Sequence, residues 1–163
     1  MHKQILIHEV RGCKAFLEHV ISIFTEEDAN YAPYPGTFTV AQQVAHAGQS
    51  IEWLLGGAKN PAGFDMDFEA HQKLILTVKS LAEAKAMFAT SIEHAIEWLE
   101  QISDDELASP LPPGFVMGGE PKEKVAWGIV EHTAHHRGSL VVYARGVGKV
   151  APMPYEAQVP WEG

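Results

Sequence analysis

The chain has 163 residues, 46% hydrophobic and 20% charged, which suits one globular domain over 1–163 that buries roughly two-thirds of its unfolded surface. A formal charge of −9, with Lys and Arg scattered, leaves no basic stripe for a phosphate backbone, so nucleic acid is excluded as a partner. The opening MHKQILIHEVRGCKAF lacks the apolar core of a signal peptide, and no apolar run approaches the roughly 18 residues of a membrane helix. A cytoplasmic protein with no membrane partner is expected.

Taken in order, the segments carry helical periods and almost no strand alternation. Leu6, Val10, Cys13, Leu17, Val20 and Phe24 step by four and three, the seam of a bundle helix expected over about residues 3–28. YAPYPG at 31–36 ends it. Thr39 and Gln42 have the spacing of a capping box for a second helix reaching about Leu55, with Gly56 and Gly57 as its stop. Residues 58–79 form a long connection with a turn or two of helix in EAHQKLIL. Ser80 and Glu83 repeat the capping-box spacing before a third helix, whose inner side is Leu81, Phe88, Ile92, Ala95, Leu99 and Ile102. After the loop 103–121, Pro121 suits the first turn of a fourth helix that stops at Gly146 or Gly148. The fold class is therefore all-α, a four-helix bundle with a connection between helices two and three long enough to cross over.

The fourth helix holds EHTAHHRGSL, residues 131–140, with three of the nine histidines within five positions. At about 100° per residue His132 and His136 lie about 40° apart on one face, while His135 swings to the side. The pair falls on the inner line Val125, Ile129, His132, His136, Leu140 and Tyr143, so both rings should be buried. An unsatisfied buried polar group costs about 1–3 kcal/mol. A metal ion satisfies both imidazoles at once, and an i, i+4 pair has the separation for two ligands on one ion. The alternative is that each ring hydrogen-bonds to a neighbouring helix. Cys13 is the only cysteine, so a thiolate cluster is excluded and further ligands must be nitrogen or oxygen. A third ligand should come from another helix. His46, flanked by Gln43 and Gln49 at i−3 and i+3, and His94, beside the inner line of the third helix, are the candidates, and periodicity favours His46 without deciding between them.

Other motifs carry less. The H-x3-H spacing lacks the glutamate that serves a zinc peptidase as general base. No nucleophile elbow or phosphate loop follows a strand. Cys13 sits on the first helix's seam, where a structural thiol is expected. A second apolar line on the fourth helix, Trp127, Val130, Ala134 and Val141, needs cover. A homodimer would supply it, or residues 58–79 within the monomer.

The run EHTAHHRGSL followed by VVYARGVGKVAPMPY resembles the last helix of the DinB/YfiT-like superfamily, where a histidine pair precedes Arg-Gly. The segments AHAGQSIEWLL, SLAEA and ISDDEL fall in the matching order, so the resemblance spans most of the chain. It implies up-down-down-up topology and a divalent metal, nickel or zinc, on three histidines, here His46, His132 and His136. It also implies relatives that are thiol-dependent transferases or isomerases using a low-molecular-weight thiol. The expectation is a metal-dependent thiol S-transferase or hydrolase acting on a small-molecule electrophile, against a non-enzymatic metal-binding or ligand-sensing bundle. No general base is assigned, and the roles of Glu131, His135 and Arg137 stay open.

Overall fold

The computed structural model describes residues 2–161; Met1, Glu162 and Gly163 fall outside. The elements in order are α1 (His2–Ile21), a 3-10 turn (Glu26–Asp28), α2 (Val40–Lys59), α3 (Phe68–Thr77), α4 (Leu81–Gln101), α5 (Asp104–Ala108), α6 (Lys124–Gly146) and a 3-10 turn (Pro154–Glu156). The described residues contain no strand, only an isolated bridge between Pro110 and Pro121. None of their helices is long and apolar enough to cross a membrane.

The long helices α1, α2, α4 and α6 form the bundle, and the seams read from the sequence are its core. Leu6, Val10, Leu17, Phe88, Ile92, Leu99, Ile129 and Leu140 are each at most 1% exposed. Each such side chain contributes about 1.5–3 kcal/mol by leaving water. End-to-end contacts fix the directions. His2 meets Glu123 at 2.8 Å, so α1 and α6 start together, whereas Lys3 donates to the carbonyl of Ile102 past the end of α4. Glu52 bonds His94 at 2.7 Å, mid-helix to mid-helix, while Gln43 at the start of α2 reaches Tyr143 at the end of α6. The four helices thus run up, down, down, up, and the connection 60–80, carrying α3, joins the parallel pair α2 and α4. Helix α3 packs on α2.

Several boundaries differ from the sequence expectation. The first helix stops at Ile21, not near residue 28: the Ser22 hydroxyl bonds the His19 carbonyl at 2.7 Å, and the Asp28 carboxylate takes the Thr25 N–H at 2.7 Å, closing a separate turn. Thr39 and Gln42 form the expected capping box. Helix α2, however, runs through Gly56 and Gly57 to Lys59. A Cβ on Gly57 would lie 2.3 Å from the Phe64 ring, so that glycine seats an aromatic rather than ending a helix. At α4, Ser80 caps the Glu83 N–H, but Glu26 from the first 3-10 turn supplies the rest, accepting from the N–H groups of Leu81 (2.9 Å) and Ala82 (2.6 Å). The loop 103–121 contains α5, and Pro121 precedes the last helix instead of opening it. Backbone bonds from the Leu111 N–H to Glu120 and from the Lys122 N–H to Ser109 pair the two ends of that loop, and the Pro121 carbonyl accepts the Lys124 N–H at 2.9 Å in the turn that leads into α6. The last helix ends at Gly146, as expected.

Gly48 sets the approach of α2 to α4: a Cβ there would sit 2.8 Å from the Phe88 Cα, a backbone atom that cannot yield cheaply. Gly56, on the same helix, has nothing within 4 Å of its Cβ position. Denaturant unfolding should therefore show Gly48→Ala losing about 1–3 kcal/mol despite its better helix propensity, and Gly56→Ala gaining about 0.5–1 kcal/mol. Equal effects at the two glycines would refute the close-packing account.

Candidate metal centre

The antiparallel packing of α2 on α6 brings His46, His132 and His136 together, with one ring nitrogen from each lying within 4.8 Å of the others. Ring centroids are 5.4 Å apart for His46–His132, 4.8 Å for His46–His136 and 4.5 Å for His132–His136. No other group of three or more His, Cys, Asp or Glu side chains among the described residues has this closeness. The Nε2 atoms of His132 and His136 are 3.0 Å apart.

A hydrogen-bond chain behind His136 fixes which nitrogen carries its proton. The Phe38 carbonyl can only accept, so the Tyr143 hydroxyl donates to it at 2.9 Å. Its oxygen then receives the Gln43 amide N–H at 3.1 Å. That turns Gln43 Oε1 toward His136 Nδ1, 2.5 Å away, and the ring must donate there. The lone pair of His136 is left on Nε2, facing the other two rings. Burial, reinforced by the neighbouring His132, pushes His136 down to about 3. Burial and the nearby His46 bring His132 to about 4. His46 is lowered too, mainly by burial, although its hydrogen bond to Gln49 works the other way. All three rings are neutral near pH 7, the form in which imidazole is a ligand.

The two stripe histidines are not equally enclosed. His136 is only 5% exposed, whereas His132 is half-buried and opens with His46 onto a cavity of about 400 Å³. Phe38, Trp53 and Phe68 make its apolar wall, with Gln49, Ser50, His71 and Gln72 as polar members. The full burial expected for His132 fails because α2 and α3 leave this space beside it. His135 is exposed; its ring lies beside the pair, 5.0 Å from His136 and 6.3 Å from His132, but it is not one of the three whose nitrogens converge. His94 is drawn to the surface by Glu52, 2.7 Å away. Glu131 is exposed, and Arg137 lies over the Phe16 ring at 5.5 Å, so neither joins the cluster. Cys13 is buried with its thiol bonded to the Val10 carbonyl, and burial pushes it up to about 12, which suits a structural thiol and not a nucleophile.

His71 was missed by periodicity. Gln49 donates to its Nδ1 at 3.2 Å, which leaves the ring proton on Nε2; the Asp65 carboxylate is 3.3 Å from that nitrogen but takes no hydrogen bond from it. The only signal for its placement is Asp67, whose carboxylate caps the Ala70 N–H and starts α3.

The depressed histidines tie stability to pH. Unfolded, each has its ordinary value of 6.5, so from pH 6.5 down to about 4 for His132 and about 3 for His136 the unfolded chain of the metal-free protein binds more protons. The stability they contribute is fully present above pH 6.5 and is lost on acidification through that window. The buried His136 contributes at most about 1.4 kcal/mol per pH unit, and the half-exposed His132 less. Urea unfolding of metal-free protein at pH 7 and pH 5 should show this loss, with a shallower slope for His136→Gln. Identical slopes would remove His136 as the cause.

The fold has relatives among solved structures. YfiT from Bacillus subtilis, described as a probable metal-dependent hydrolase with an unusual four-helix bundle topology, superposes with a TM-score of 0.71 at 16% identity, covering 90% of this chain and 88% of that one. A DinB-like protein from Bacillus cereus gives a TM-score of 0.66 at 19% identity over 89% of each chain. No curated protein matches the chain in sequence. The family model of the DinB superfamily matches residues 11–140, and with that match over most of its length the chain belongs to the DinB superfamily.

Proposed function

We propose that the chain is a metal-dependent enzyme in which His46, His132 and His136 hold a divalent ion, nickel or zinc, next to a substrate cavity. The single observation that carries this reading is three neutral ring nitrogens within 4.8 Å of one another at the edge of a cavity of about 400 Å³. Such an ion, held by uncharged ligands, supplies Lewis acidity that brings the pKa of water toward about 7 or favours thiolate over thiol. His136 serves as the deep ligand, oriented through Gln43 and Tyr143. His46 and His132 form the cavity side of the site, and the aromatic wall keeps bulk water from the reacting end of a small electrophile. The description of YfiT as a probable metal-dependent hydrolase supports hydrolysis. Thiol S-transfer uses the same ion and stands as the second form of the reaction, with a low-molecular-weight thiol as cosubstrate. Among the described residues no fourth His, Cys, Asp or Glu joins the group, and an open position favours catalysis over a closed structural site.

Elemental analysis of protein purified without an affinity tag tests the ligand set. His46→Ala, His132→Ala and His136→Ala should each lose most of the metal, while His135→Ala keeps it. Gln43→Leu should weaken metal affinity about 10–100-fold through the lost orientation of His136, with Gln43→Glu, which retains the acceptor, closer to the parent. Loss of metal in His135→Ala with retention in His132→Ala would sink the assignment.

A homodimer belongs to the same proposal. On the second apolar line of α6 Val130 packs against the core, whereas Trp127 is 41% exposed and helix α3 is engaged on α2. Light scattering at micromolar concentration should give twice the chain mass, and a monomer would end this part.

A further inference from the structure

The cavity beside the histidines has a composition that selects among substrates. Trp53 is held rigidly on one side: its indole N–H donates to the Asp65 carbonyl at 2.7 Å, and its ring packs against Phe64 at 4.9 Å and Phe68 at 5.9 Å. Phe64 can occupy that place because Gly57 has no Cβ. On another side Phe38 packs on His46 at 5.2 Å. Phe68 completes the wall, one side against Trp53 and the rest 54% exposed. The walls are therefore flat aromatic faces, and their spacing leaves a volume within the range of small-molecule sites.

The polar groups include no Asp, Glu, Lys or Arg. Gln49 spends its amide N–H on His71, and Gln72 stands exposed on the rim. No Lys or Arg is among the described residues that line the space. Behind His71 stands a negative group, the Asp65 carboxylate, 3.3 Å from its Nε2. In the metal-free chain a carboxylate placed on this wall would lose water without meeting a Lys or Arg, which costs more than burying a neutral amide that keeps a hydrogen bond.

We infer that the cavity takes a flat, uncharged aromatic molecule, its ring against Phe38, Trp53 and Phe68 and its single polar group turned toward His71 and the histidine cluster. This rests on the proposed enzymatic reading for the identity of the reacting end, though the binding itself does not require the ion.

The isosteric pair benzamide and benzoate tests this on metal-free protein, with saturation-transfer NMR to detect binding and titration to measure it. Benzamide should bind at least tenfold more tightly than benzoate. Phe68→Ser, at a half-exposed ring, should weaken benzamide at least threefold with the helical circular dichroism unchanged. Should that variant not fold, Gln72→Lys on the exposed rim should bring benzoate to within threefold of benzamide. Absence of benzamide binding, equal affinity of the two probes, or indifference to these substitutions overturns the inference. Metal analysis of the same preparation separates the two readings: metal uptake without benzamide binding removes only the cavity assignment, and benzamide binding by a chain that takes up no metal removes only the metal centre.

Discussion

The bond between His136 Nδ1 and Gln43 Oε1 lies inside the bundle where α2 crosses α6, and the character of the site follows from it. Both groups are buried polar atoms that would each cost free energy if left unpaired. Together they satisfy each other, and the rest of the chain through Tyr143 and Phe38 makes the arrangement directional. Because the terminal acceptor is a backbone carbonyl, the protons along the chain have one consistent placement. The same contact that closes the core therefore also presents a lone pair to the neighbouring rings. Packing and site chemistry are here one interaction.

That coupling depends on topology. In an up-down-down-up bundle α2 runs antiparallel to α6 and parallel to α4, so the chain must cross between α2 and α4 over the length of the molecule. Helix α3 makes this crossing, packed on α2, and in doing so lays Phe68, His71 and Gln72 over the histidines. A short hairpin between antiparallel neighbours would have needed no such segment and would have left no walled space there. The long connection is thus the source of the cavity.

The helices were legible because burial imposes a period: every residue of the first and third seams is in the core. Helix ends were legible where the cap is local, as at Thr39 and Gln42, and misread where the deciding contact is tertiary. Gly57 reads as a stop in one dimension and as a seat for Phe64 in three. The histidine pair on α6 follows from spacing alone. Its grouping with His46 instead of His94 does not, since both are histidines in the middle of amphipathic helices; the family resemblance indicated the choice, and Glu52 shows where His94 goes. His71 has no periodic signal, because α3 buries only Ile75 and most of its side chains face water.

The cap on α4 has a consequence for local stability. The first amides of any helix lack intrahelical acceptors, and here Leu81 and Ala82 find theirs in Glu26, 55 and 56 residues upstream. Their protection against hydrogen exchange is then set by a turn belonging to a different stretch of chain. When the segment after α1 opens, the start of α4 loses its acceptors in the same event, so the two regions form one cooperative unit although the whole of α2 and α3 separates them in sequence.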